Sequence, residues 1–257
     1  MNSRRLYYAM LAVMAGFVLY VLFANFIYDP GASEFLSHKE NQKRTVPVAA
    51  WQSVMYVHVV FACIAMVGGA VNFSGQVLRR YRRAHRINGY IYVASVMVVV
   101  LTSGYMAPYA TGGKWTSIPF NLLNIIWPVM TVIAILKIRK KQIDKHRKWM
   151  VRSYVFCFTN LMIHLFTTLF YHGMGLTYPT SYAIGVYCAI ASLFLIAEWG
   201  HTHRIPQAIY GSYLIHRSHM NRAALLARLS CIHEPVISQT IGCCCAYARP
   251  SRITPAG

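Results

Sequence analysis

Four histidines stand where ionisable groups are costly. His58 and His164 lie inside uninterrupted apolar runs. His85 and His146 each begin a short basic block, Ala84-His85-Arg86-Ile87-Asn88-Gly89-Tyr90-Ile91-Tyr92 and His146-Arg147-Lys148-Trp149-Met150-Val151-Arg152-Ser153-Tyr154. Polar and ionisable side chains within a membrane span mark functional sites by default. His58 and His164 each fall about eight residues, roughly 12 Å at 1.5 Å per residue, inside the same end of their helices. His85 and His146 share the opposite boundary, so the depths allow two stacked pairs. His146 and His164 are five turns apart, about 27 Å along a continuous helix, and on one that already runs through His146 they point from one face.

Two imidazole pairs in a helical bundle are what two bis-histidine haems require, because neutral imidazole is an axial ligand and the bundle shields the macrocycle. In that reading His85 and His146 ligate an inner haem b, or contact a quinone. Arg86, Arg147 and Arg152 then meet its acidic groups. The same arginines fit lipid phosphates equally well, and His58 and His164 can serve as hydrogen-bonding glue between helices. A third reading comes from Asn121, Asn124, Trp127, Pro128 and Thr131, whose polar groups recur at helical spacing and which Asn72, Asn160 and Thr159 can join. Pro128 frees a carbonyl near Asn124, so this face suits a kinked wall in a small-solute carrier. Glu198 is the one acid within the apolar runs and is expected to pair with basic loops rather than relay protons. No Ser-His-Asp set, H-E-x-x-H, C-x-x-C or P-loop motif is present, and no catalytic residue is assigned.

The elements that must hold these residues follow from composition. Of 257 residues 56% are hydrophobic and only 12% charged, whereas soluble domains carry about a quarter charged residues. Disordered, collagen-like and disulfide-scaffold classes are excluded on the same ground, and no internal repeat is visible. Six apolar runs, Leu6–Tyr28, Ala49–Ser74, Gly89–Ala110, Ile118–Ile138, Ser153–His172 and Ser181–Trp199, contain no Arg or Asp, and their one Lys is Lys137 at the edge of the fourth. Each matches the roughly 20 residues that span a bilayer core. Hydrocarbon leaves no partner for an open backbone and the alternation of a membrane barrel is missing, so the expected fold is an all-α, six-helix transmembrane bundle. The first run exceeds a signal-peptide core and lacks a cleavage site, so it is expected to be retained.

The formal charge of +19 is a statement about topology. Twenty-one Lys and Arg fall before the first run, between the second and third, between the fourth and fifth, and after the sixth; Lys39, Lys43, Arg44 and Lys114 fall on the other side. By the positive-inside rule both termini are expected in the cytoplasm of a plasma-membrane protein. Tyr28, Trp51 and Trp115 then mark the outer boundary, and Tyr7, Tyr90, Tyr92, Trp149 and Trp199 the inner one. The expected partners are membrane lipids with anionic headgroups and a possible second copy, not nucleic acid. Residues 200–257 lose the apolar pattern and are expected to be a loosely ordered basic tail. Its Cys243-Cys244-Cys245 run suggests S-palmitoylation, or soft-metal binding with His233, against a simpler state of reduced thiols.

One resemblance rests on His58 with Gly69, Asn72 and Phe73; on His85-Arg86-x-x-Gly89-Tyr90-x-Tyr92; on Trp127; and on His146-Arg147-x-Trp149-Met150-x-Arg152-x-Tyr154. Spread over nearly half the chain, from His58 to His164, this pattern resembles the family of membrane proteins named domain of unknown function 2306. That resemblance implies a multi-helix membrane protein with cytoplasmic His-Arg loops and implies no activity. His164 stands where this family is expected to carry an Arg, so an outer His58–His164 haem pair is not expected across the family. The layout is also partly similar to di-haem transmembrane cytochromes b, in which four consecutive helices each supply a ligand, although the fourth helix here has no histidine.

Overall fold

A computed structural model describes residues 3–37 and 47–202, all within one compact unit bounded by Met1–Pro206. The described residues are mostly helical, and no strand occurs among them. The elements are α1 (Ser3–Phe23), α2 (Ser33–Ser37), α3 (Val48–Asn72), α4 (Gly75–Arg80), α5 (Arg82–Met106), α6 (Lys114–Arg139), α7 (Ile143–Val155), α8 (Thr159–Thr168) and α9 (Tyr178–Thr202). Together with the short turns that extend them, they make 6 helices long and apolar enough to cross a membrane. The chain is an integral, multi-pass membrane protein. Expectations about the tail, including Cys243 to Cys245, lie outside the described residues.

Several helices begin earlier than the apolar runs. α5 starts at Arg82 rather than Gly89, α6 at Lys114 rather than Ile118, and α7 at Ile143 rather than Ser153. Apolar length measures the hydrocarbon layer, whereas a helix is closed by its own backbone bonds and continues beyond it while long basic side chains reach water. The His-Arg blocks are therefore first turns of helices, not loops. α6 then stops without a glycine: Gln142 N–H bonds the Lys137 carbonyl and Lys141 N–H the Ile138 carbonyl, both at 2.9 Å. Lys141 takes the left-handed position of this cap, with φ 58°. The resulting tight turn folds α7 back against α6.

The bundle packs closely where side chains are small. Gly68 and Gly69 on α3 face α5 and α7, and a methyl group on Gly69 would overlap the Tyr154 ring. Trp51 and Tyr92, expected at the membrane boundaries, are 3% and 0% exposed. Trp51 packs with Ala32 and Met55 beneath the 29–37 segment, where Gln52 and Tyr56 both donate to the Pro30 carbonyl. Tyr92 is drawn inward by the hydroxyl network described below. Trp115, by contrast, is 73% exposed.

Candidate functional site

The basic end of the bundle collects the starts of α5 and α7 and the ends of α3, α6 and α9. Thirteen Lys and Arg lie between Arg79 and Arg86 and between Lys137 and Arg152, with Asp144 the only acid in those stretches. His85 and His146 are both half-buried here, and burial, with the charge of His146 second, holds the His85 imidazole below its usual pKa. The Nδ1 of His146 is 2.8 Å from the Ala134 carbonyl. Only an N–H can face a carbonyl, so Nδ1 carries the proton and Nε2 is left to accept a ligand. A backbone carbonyl on one ring nitrogen is the usual way a metal-binding imidazole is oriented. Beside the pair, Asn88 donates to the Gly68 carbonyl at 2.7 Å and to Asn72 Oδ1 at 2.9 Å, locking the first turn of α5 to α3.

Deeper in the bundle lies a hydroxyl chain whose direction follows from counting protons. Thr131 Oγ1 donates to the Trp127 carbonyl at 2.9 Å, which uses its one hydrogen. Ser153 Oγ, 2.7 Å from Thr131, must then donate to it, and the Tyr92 hydroxyl, 2.8 Å from Ser153, must donate to Ser153. All three side chains are essentially unexposed. The Trp127 indole and the Cys157 thiol lie beside the same Tyr92 hydroxyl, and Tyr154 donates to the Met66 carbonyl at 2.9 Å. Sequence reasoning missed this network, although Tyr92, Ser153 and Tyr154 all fall inside the His-Arg blocks and Thr131 lies on the Trp127 face. The proposed solute wall is thereby largely occupied: Trp127 and Thr131 face protein and Asn121 is exposed on another side, while the Nδ2 of Asn124 is buried without a partner.

Arg152, expected beside a cofactor, is instead held by Glu198, with Nε to Oε1 at 2.9 Å and Nη2 to Oε2 at 3.0 Å. Its guanidinium also covers the Trp149 ring at 4.9 Å. The expected pairing of Glu198 with a basic group is thus observed. Arg86 is exposed and Arg147 half-buried, each next to its histidine.

The outer histidines do not come together. Nδ1 of His58 is 2.9 Å from Thr102 Oγ1, which spends its own hydrogen on the Val98 and Val99 carbonyls, so His58 donates to Thr102 of α5. His164 is exposed and stands edge-on to Tyr20 of α1, with ring centroids 6.2 Å apart. His146 and His164 do not lie on one uninterrupted α-helix. A 3-10 turn at Phe156–Phe158 interrupts the helix between them, and its tighter winding adds about 20° per residue. Among the described residues no group of three or more His, Cys, Asp or Glu could hold a metal ion.

A family model described as a predicted membrane protein, domain of unknown function 2306, matches residues 55–199, more than half of the chain. No curated protein and no solved structure matches.

Proposed function

The chain belongs to this family of predicted membrane proteins, and we propose that within it His85 and His146 would hold a haem b, in a redox protein of the plasma membrane. One observation carries the reading: two half-buried imidazoles, one in the first turn of α5 and one in that of α7, stand at the same basic end of the bundle. The donor set fits the group. Two imidazoles are too few for a closed zinc site, which takes four ligands, but they are the whole protein complement of a bis-histidine haem. His146 offers Nε2 with its Nδ1 anchored to Ala134, while Asn72 and Asn88 fix the turn that carries His85. Arg86 and Arg147 are positioned by sequence next to the ligands and would meet acidic substituents. Arg152 is left out of that role by its bond to Glu198. When bound, haem b supplies a one-electron carrier. The chain's own residues hold it, orient the imidazoles and neutralise its charge. A quinone head bound between the same imidazoles is the variant of this reading without iron.

The test is an absorption spectrum of detergent-purified protein from haem-competent cells, air-oxidised and then dithionite-reduced. A Soret band that sharpens on reduction and disappears in His146→Gln is expected. A featureless spectrum from folded protein would remove the reading.

A second reading is favoured by the charge imbalance of the same end, where thirteen basic residues face Asp144 and Glu198. In it the His-Arg turns hold anionic headgroups in the cytoplasmic leaflet, each basic residue near such a surface contributing about 1 kcal/mol. Tight co-purification of anionic phospholipid that is lost in Arg86→Ala and Arg147→Ala, with no haem, is its signature.

A further inference from the structure

The deep hydroxyl chain and the two basic-end histidines share a register. His85 and Tyr92 are seven residues apart on α5, one uninterrupted helix from Arg82 to Met106. His146 and Ser153 are seven apart on α7, equally unbroken from Ile143 to Val155. Seven residues make about two turns and rise about 10 Å, so on each helix both side chains leave from nearly one face. Successive spans cross the membrane in opposite directions, which makes α5 and α7, separated by α6, parallel. The seam in which the Tyr92 hydroxyl meets Ser153 Oγ at 2.8 Å therefore continues by the same rise on both sides to His85 and His146. At the histidine level the bonds on each side lead elsewhere. Asn88 ties α5 to Gly68 and Asn72 of α3, and His146 ties α7 to Ala134 of α6. A direct tie between α5 and α7 is made two turns deeper, at Tyr92 and Ser153.

We infer that this Tyr92–Ser153 bond is the strut that sets the spacing of the two imidazoles, which makes Tyr92 and Ser153 positioning residues for what His85 and His146 hold. Three features suit the bond to that task. A hydrogen bond keeps to a narrow range of length and direction, whereas an apolar contact can slide. Tyr92 and Ser153 are both 0% exposed, so water offers neither hydroxyl a second partner. Ser153 is also braced from behind, because it donates to Thr131 of α6, whose own hydrogen goes to the Trp127 carbonyl. The role toward a cofactor rests on the haem reading. The spacing of α5 and α7 does not.

The test uses the full chain in detergent, with spin labels carried on p-acetylphenylalanine at two exposed positions, Arg83 of α5 and Lys148 of α7, so that the native cysteines stay untouched. Electron–electron double resonance then reads the α5–α7 separation without any haem. One narrow distance is expected for the parent chain, and a broadened or displaced one in Ser153→Ala and in Tyr92→Phe. Ser192→Ala, which removes a hydroxyl bonded to its own helix α9, should leave the parent distance. In haem-loaded protein the first two variants should bind haem about tenfold more weakly, as loss of one preorganising hydrogen bond implies, and their ferric low-spin resonance should spread. Should Ser153→Ala fail to fold, Tyr92→Phe carries the test. A broad distribution in the parent chain, or parent distances in the folded variants, would overturn the strut whether or not haem binds. An equal change in Ser192→Ala would overturn it too. Moved distances in a chain that takes up no haem would keep the strut and remove the haem reading.

Discussion

The two halves of the bundle differ in how their buried hydroxyls are partnered. At the basic end and just above it, hydroxyls and amides are joined in networks, Gln142 Oε1 excepted: Tyr92, Ser153 and Thr131 form a directed chain, Tyr154 is bonded to Met66, and Asn88 bridges to Gly68 and Asn72. In the far half the hydroxyls of Thr111, Thr116, Thr167 and Ser181 are buried without partners, and Asn160 and His164 face outward unbonded. A satisfied network fixes one arrangement of α3, α5, α6 and α7, while unspent polar groups add cost without fixing anything. The half that carries the His-Arg turns is thus the one built to hold a fixed geometry.

The sharpest break in this contrast comes from glycine. Gly69→Ala drives a methyl into the Tyr154 ring at the α3–α7 contact, and overpacking of this kind costs about 1–3 kcal/mol. A melt in detergent should drop by several degrees, and an unchanged melt would mean that the two helices are not in contact. Next comes one chemistry with two signs. Ser153→Ala strands the Tyr92 donor and the Thr131 acceptor, at a cost of about 1–2 kcal/mol. Ser181→Ala deletes a hydroxyl that has no partner and should be neutral or slightly stabilising. Equal losses in both variants would erase the distinction between the halves.

Smaller effects sharpen it further. Lys141→Gly relieves a left-handed backbone position and should raise stability by up to about 1 kcal/mol, provided that the α6–α7 turn is formed as described. Glu198→Gln removes half of an ion pair whose carboxylate is 62% exposed. The expected loss is below about 1 kcal/mol and should shrink further in high salt. Gly16→Ala, where an added methyl meets nothing within 4 Å, should leave the melt unchanged and serves as the control for Gly69→Ala.

Much of the fold was legible in the residues themselves. A bilayer accepts only backbones that satisfy their own hydrogen bonds, so apolar runs of spanning length dictate helices without knowledge of any partner. The six spans, the all-α class, the pairing of Glu198 with a basic group and the common depth of His85 and His146 could all be read on that basis. Helix ends could not, because α6 is stopped by Lys141 in a cap where glycine usually gives the signal, and because α5 and α7 run on through arginines that mark the membrane boundary rather than the helix boundary.

The site divides along the same line. Depth is a one-dimensional quantity, fixed by counting residues from a boundary, so the sequence by itself determined which histidines share a level and that a basic rim surrounds His85 and His146. Which side chains meet is a matter of rotation and of neighbour. A 3-10 turn at Phe156–Phe158 breaks the regular winding between His146 and His164, His164 meets Tyr20, Thr102 takes Nδ1 of His58, and Glu198 claims Arg152. Only the tertiary structure decided those pairings, because each depends on the azimuth of two helices at once, and spacing along either helix alone carries no information about the other.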